Sequence, residues 1–265
     1  MRPSILLFGD SITQQAFGYK DGGLRFGWAS LLAATYTRRA DILSRGFSGY
    51  NTNHALDILP TSIYPVIDGQ NLLFCTIFFG ANDSALAGMR QHVPIDKYKK
   101  NMKDIIKSIK ERYMSKENII VCDDDEVKND ASDKNLPLIL ITPPPVHEPK
   151  WNSFCVETNR NSNARTNESA LAYGKCILSI GEELDIPVLD SFRALKGYDG
   201  EDEYSEYLSD GLHLTEEGNE IIHDELMKLI EEKLPNVFPF EGMDDKIDKS
   251  NKGIRMEEKD WMELC

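Results

Sequence analysis

Near the start of the chain stands Ser4-Ile5-Leu6-Leu7-Phe8-Gly9-Asp10-Ser11-Ile12-Thr13. Residues 5–8 form an unbroken apolar run, cut off by Gly-Asp-Ser. Such a run predicts a strand covered on both faces and then a tight turn. Where a sheet is open and parallel, ligands bind outside the carboxyl ends of its strands. Ser11 therefore stands where a nucleophile is useful. Asp10 and Ser11 are also favoured helix N-caps, and alone they read as turn chemistry. Three further stretches change the weighing.

Downstream, apolar runs at 40–44, 71–79, 136–141 and 186–189 predict four more strands. The run Leu72-Leu73-Phe74-Cys75-Thr76-Ile77-Phe78-Phe79 is the clearest, suited to a central parallel strand. Between the strands the period changes to that of helices. Trp28, Leu31, Leu32 and Tyr36 share one face. Thr52 or Asn53 is expected to cap a short helix that Pro60 stops. Tyr98, Met102, Ile105, Ile106 and Ile109 line a helix over 95–113, with lysines opposite. A loop through Trp151 leads to a helix over 166–184. Thr215 caps a final helix that Pro235 ends. Alternating strands and helices imply a parallel sheet with helices on both faces, a three-layer α/β/α domain spanning 1–240. Residues 115–135 are polar and lack aromatics, and read as a surface insertion. Residues 241–265 form a charged tail.

A 265-residue chain with 41% hydrophobic residues has ample core for one large domain. Its net charge of −14 argues against nucleic acid or an anionic membrane as partner, since both require a basic face. The N-terminal apolar run is too short for a signal-peptide core or a membrane span, which predicts a cytoplasmic protein without stable membrane insertion. Five cysteines, odd in number and without a C-x-x-C pair, read as reduced thiols. The five histidines are scattered, so neither a metal nor another cofactor is expected.

Four stretches now fall into line. Gly-Asp-Ser-Ile occupies 9–12, Gly-Phe-Ser-Gly-Tyr-Asn-Thr 46–52, Gly-Ala-Asn-Asp 80–83, and Asp-Gly-Leu-His-Leu 210–214. Together and in this order they resemble the SGNH or GDSL serine hydrolases, whose four marker residues are Ser, Gly, Asn and His. The wording of the blocks, with Ile-Thr-Pro-Pro-Pro-Val at 141–146, looks most like the isoamyl acetate-hydrolysing esterase branch. Two small departures are Ile12, where the family name has Leu, and Ser44 before Arg45, where Asn is expected.

The resemblance implies a flavodoxin-like hydrolase with a five-stranded parallel sheet, acting on a small-molecule ester of the acetate type through an acyl-enzyme. It implies Ser11 as nucleophile, with His213 and Asp210 completing a triad. It also implies an oxyanion hole made of the backbone N–H groups of Ser11 and Gly49 and the side-chain amide of Asn82. The chemistry of these residue types agrees. A serine hydroxyl needs an adjacent base, imidazole serves as one, and an Asp three residues before it can turn back to hold its other nitrogen. Asp10 and Asp83 are assigned supporting roles, Asp83 as a brace of its loop. Trp28 and Trp151 read as core or pocket walls. The G-x-S-x-G elbow of α/β-hydrolases is absent. Two alternatives stay open: the acceptor or substrate is a sugar or lipid, as in a deacetylase, acyltransferase or lysophospholipase, or the domain is a catalytically silent binding module. The oligomeric state is not set by the sequence.

Overall fold

The first strand, β1 (Ser4–Gly9), is buried along its whole length, and its side chains alternate between two separate cores. Ile5 and Leu7 enter one, Leu6 and Phe8 the other. This is the period-two geometry of a pleated strand with apolar neighbours on both faces. Burying four such side chains contributes on the order of 6–12 kcal/mol, so one charged substitution among them would undo the strand. The computed structural model describes residues 2–20, 24–117, 135–160, 164–197 and 202–239.

β1 belongs to a five-stranded parallel sheet that also contains β4 (Asp41–Gly46), β5 (Leu72–Phe78), β6 (Leu138–Ile141) and β7 (Val188–Leu189), in the order β4-β1-β5-β6-β7. Two short strands, β2 (Tyr19–Lys20) and β3 (Leu24–Arg25), pair antiparallel apart from it. On one face Ile5, Leu7, Phe74, Phe78, Ile139 and Ile141 pack chiefly with α2 (Trp28–Thr35), α8 (Ser191–Lys196) and α9 (Glu216–Lys233). On the other, Leu6, Phe8, Cys75, Ile77, Leu138 and Leu140 meet α3 (Thr52–Ile58), α4 (Tyr64–Gly69), α5 (Ile95–Glu117) and α7 (Asn167–Leu184). The expected α/β/α layering is thus the observed one. The edge strand β4 is only half-buried and carries Asp41, Ser44 and Arg45, a composition that blunts an open edge.

Register brings the strand ends level. Gly9 lies opposite Gly46 of β4 on one side and Phe78 of β5 on the other. The loops that follow these three strands therefore emerge at one rim, which is where a ligand site of an open parallel sheet forms.

Some local expectations change. Asn51, not Thr52 or Asn53, caps α3, in a reciprocal box with His54: Asn51 Oδ1 accepts from the His54 N–H and His54 Nδ1 from the Asn51 N–H, both at 3.2 Å. Pro60 does not stop the chain's helical path. It enters a π-turn, 59–63, near that turn's start, where a missing N–H leaves no carbonyl unpaired, and α4 follows directly. Trp151 lies not in a loop but on α6 (Glu148–Glu157), with His147 accepting from the Lys150 N–H as N-cap and Pro149 in the first turn. The polar stretch at 115–135 falls, over 118–134, outside the described residues, as does the tail at 241–265.

Candidate active site

Ser11 is the first residue of α1 (Ser11–Gln14). Asp10 caps this turn, its Oδ1 accepting from the Ile12 N–H at 3.0 Å. As the first helical residue, Ser11 has a backbone N–H that no carbonyl of its own helix takes. Its side chain is nearly buried, 5% exposed.

Asp210 organises the turn before α9 with both of its oxygens. Oδ1 accepts from the backbone N–H groups of Leu212 and His213 at 2.9 and 2.8 Å, and Oδ2 lies 2.6 Å from His213 Nδ1. The far nitrogen, Nε2, lies 2.9 Å from Ser11 Oγ. A hydroxyl, an imidazole and a carboxylate thus form one hydrogen-bonded chain, joining residues 202 positions apart. Burial pushes the Asp210 carboxyl up, but the ring hydrogen bond and charge of His213, with the two backbone donors, outweigh it and leave the group below its ordinary value.

Gly49 lies in the turn after β4, closed by the Tyr50 N–H donating to Phe47 O at 3.1 Å. Its φ of +79° is the conformation that the third position of such a turn requires, and one that glycine adopts without strain. Asn82 follows β5. Its Nδ2 donates to Tyr50 O at 2.8 Å, and its Oδ1 accepts from Gln91 Nε2 and Arg165 Nη2, each at 2.9 Å. Asp83 braces more than its own loop: its Oδ1 accepts from the Thr52 N–H at 2.9 Å and the Thr52 hydroxyl at 2.5 Å, tying the loop after β5 to the start of α3.

Two carboxyls beneath this rim are held high. Burial raises Asp10 to about 7, against the Ile12 N–H and the charge of His213. Burial likewise raises Asp83 to about 6, against its bonds from Thr52. Cys75, expected as a reduced thiol, is free and buried, as is Cys155, and Cys176 is free and half-buried.

A cleft of about 470 Å³ opens onto Ser11, Gly49, Asn82 and His213, so the four marker positions share one cavity. Ala85, Met89, Trp151 and Leu212 give it apolar wall, while Trp28 is wholly buried in the core. Arg165 and Gln91 were not singled out by sequence reasoning. Both sit in loops with no periodic or motif signal, and only their convergence on Asn82 reveals them. Among the described residues no cluster of three or more His, Cys, Asp or Glu could hold a metal, and no helix is long and apolar enough to cross a membrane.

The fold is that of the acylhydrolases, and the chain belongs to the GDSL-like Lipase/Acylhydrolase family, whose profile matches residues 5–226. It is an enzyme of the ester-hydrolysing class. It is 38% identical over 242 residues to an isoamyl acetate-hydrolyzing esterase 1 homolog of Rattus norvegicus, covering 89% of this chain and 86% of that one. It is 31% identical over 262 residues to the isoamyl acetate-hydrolyzing esterase of Saccharomyces cerevisiae, covering 98% and 94%. Among solved structures, a lipase/acylhydrolase from Enterococcus faecalis superposes with a TM-score of 0.61 at 24% identity, covering 88% of this chain and 97% of the other, a likeness of fold.

Proposed function

We propose that this enzyme hydrolyses small acetate-type esters through an acyl-enzyme on Ser11. The observation that carries the reading is the chain from Ser11 Oγ through His213 to Asp210, with contacts of 2.9 and 2.6 Å. His213 Nε2 takes the Ser11 proton as Oγ attacks the carbonyl carbon. Asp210 holds the ring in the tautomer that leaves Nε2 free to accept and stabilises the imidazolium that forms. Negative charge develops on the carbonyl oxygen and is met by the N–H groups of Ser11 and Gly49 and by the second N–H of Asn82 Nδ2. His213 then returns the proton to the departing alkoxide. Water, activated by the same imidazole, releases the acid. Asp10 supports the nucleophile by capping its turn, and Asp83 supports Asn82 by fastening its loop to α3.

The mixed lining of the cleft and the names of the curated relatives support a short acyl group on an uncharged alcohol. A second reading draws on the polar lip formed by Ser48, Arg90, Gln91, Asn159 and Arg160, which would suit an acetylated sugar. The test is Ser11→Ala on p-nitrophenyl acetate, with fluorophosphonate labelling of both the variant and the unaltered enzyme. The unaltered enzyme is expected to turn over and label and the variant to lose both, and a panel of alkyl acetates, longer acyl esters and acetylated sugars then ranks the substrates. Undiminished turnover by Ser11→Ala would end the proposal, and an unlabelled, inactive native enzyme would favour a silent binding domain.

A further inference from the structure

We infer that Arg165 sets the polarity of a relay of side-chain amides, keeping an N–H rather than a C=O of Asn82 turned toward the cleft. The inference rests on the esterase reading, in which that N–H meets the oxyanion. Arg165 is almost wholly buried, 5% exposed, and its guanidinium lies over the Trp151 ring at 5.3 Å from the centroid. Its Nη1 donates to Ala81 O, and its Nη2 donates to Asn82 Oδ1 and to Gln91 Oε1, each at 2.9 Å. Gln91 in turn donates from Nε2 to Asn82 Oδ1 and to Gly49 O, both at 2.9 Å.

An amide side chain can exchange its oxygen and nitrogen by a half-turn with little change of shape, so its neighbours decide which end points where. A guanidinium removes the choice, because it donates from every nitrogen and accepts nowhere. Gln91 Oε1 must therefore face Arg165, which turns Nε2 to Gly49 O and Asn82 Oδ1. Asn82 Oδ1 then faces two donors, and Nδ2 is left with one N–H for Tyr50 O and one for the cleft. The carbonyls of Gly49 and Tyr50 favour the same orientation, but they belong to the turn that is being held. Arg165 is anchored elsewhere, beside the N-cap Thr166 of α7, in a loop tied to the segment after β5 by the Leu86 N–H donating to Ala164 O at 2.9 Å. Its charge also draws electron density through Asn82 Oδ1, which strengthens Nδ2–H as a donor.

Arg165 borders the cleft, but its bonds go to Ala81, Asn82 and Gln91, so it acts through Asn82 and is a positioning residue. Its effect belongs to the transition state, where kcat falls and KM changes little. The test measures kcat and KM on p-nitrophenyl acetate per active site titrated with fluorophosphonate, alongside thermal unfolding. Arg165→Met is expected to lower kcat by roughly 10–10²-fold, and the same change in an Asn82→Ala background by less than about three-fold, since its target is already gone. Gln91→Glu keeps an acceptor for Arg165 but loses the donor to Asn82 and Gly49. It is expected to lower kcat by roughly ten-fold or more in an enzyme that stays folded, its carboxylate paired with Arg165. If Arg165→Met does not fold, Arg165→Lys and Gln91→Glu carry the test, because neither leaves a buried gap. Effects of Arg165→Met and Asn82→Ala that multiply in full, or a Gln91→Glu enzyme with native kcat, would overturn the inference. Ser11→Ala separates the two readings. If it is inactive while Arg165→Met keeps native kcat, the polarity inference falls alone; if it is active, the esterase reading falls and takes the inference with it.

Discussion

Gly211→Ala tests whether the turn that carries Asp210 and His213 is held by the body of the protein or only by itself. Gly211 has φ +93°, and its carbonyl accepts from the His147 N–H at 2.9 Å, at the start of α6. A Cβ added there would lie 2.4 Å from Trp151 N, 2.7 Å from His147 O and 2.9 Å from Trp151 Cα. All three are backbone atoms of α6 or its cap, which cannot rotate away as a side-chain tip can. The positive φ costs about 1–2 kcal/mol for an L-residue. Relieving the clash means moving the turn by roughly 1 Å, an overpacking strain of ~1–3 kcal/mol. The total of ~2–5 kcal/mol corresponds to a melting temperature lowered by roughly 5–15 °C for a domain of this size. A shift of that length breaks the 2.9 Å contact between His213 and Ser11, and kcat/KM on p-nitrophenyl acetate is expected to fall ~10²-fold. Gly197→Ala supplies the control, since Gly197 has φ +72° with no described atom within 4 Å of the added Cβ. It carries the backbone penalty without the clash, and kcat/KM should be unchanged. A folded Gly211→Ala enzyme with native kcat/KM would refute the idea that α6 fixes the base.

Asn82→Ala should lower kcat ~10²–10³-fold with little change in KM, measured by steady-state kinetics on the same ester. Asp210→Asn keeps the carbonyl that caps the turn but favours the wrong imidazole tautomer, so kcat should drop by up to ~10⁴-fold while the unfolding temperature moves little. Asp10→Asn bears on pH. The Asp10 carboxyl is raised from 3.8 to about 7, so between those values the folded protein holds a proton that the unfolded chain has released, and stability falls as pH rises through this window. Replacing Asp10 by Asn, which still accepts from the Ile12 N–H, should raise stability at pH 8 by on the order of 4 kcal/mol and change it little near pH 4, read from denaturant melts at the two pH values. An equal gain at both would mean that the carboxyl is not the source.

Much of the fold was legible because it rests on short-range patterns. The unbroken apolar run at 5–8 and the apolar run ending at Phe79 announce strands covered on both faces. Thr215 and Asp10 announce the turns that they cap. Other features misled for equally local reasons. Pro60 looks like a stop, yet at the start of a π-turn its missing N–H is no loss. The segment around Trp151 is read as loop, although Trp151, Phe154 and Cys155 stand at i, i+3 and i+4 behind Glu148 and Pro149; its N-cap, His147, is not a residue type that announces a helix start. The brace by Asp83 was foreseen as local, but its partner Thr52 lies 31 residues away.

Residue type and local spacing were enough to name the strands and the turn that ends the first, because strand periodicity and side-chain reach within a turn are properties of neighbouring residues; Ser11, Asp210 and His213 were pointed to by the resemblance of four ordered blocks to the GDSL hydrolases. Tertiary structure alone decided that Ser11 and His213 approach to 2.9 Å, and that Gln91 and Arg165 converge on Asn82. The reason is register: which rim the loops share depends on how β1 pairs with β4 and β5 and on how α6 meets the turn at Gly211, and those are contacts between distant parts of the chain.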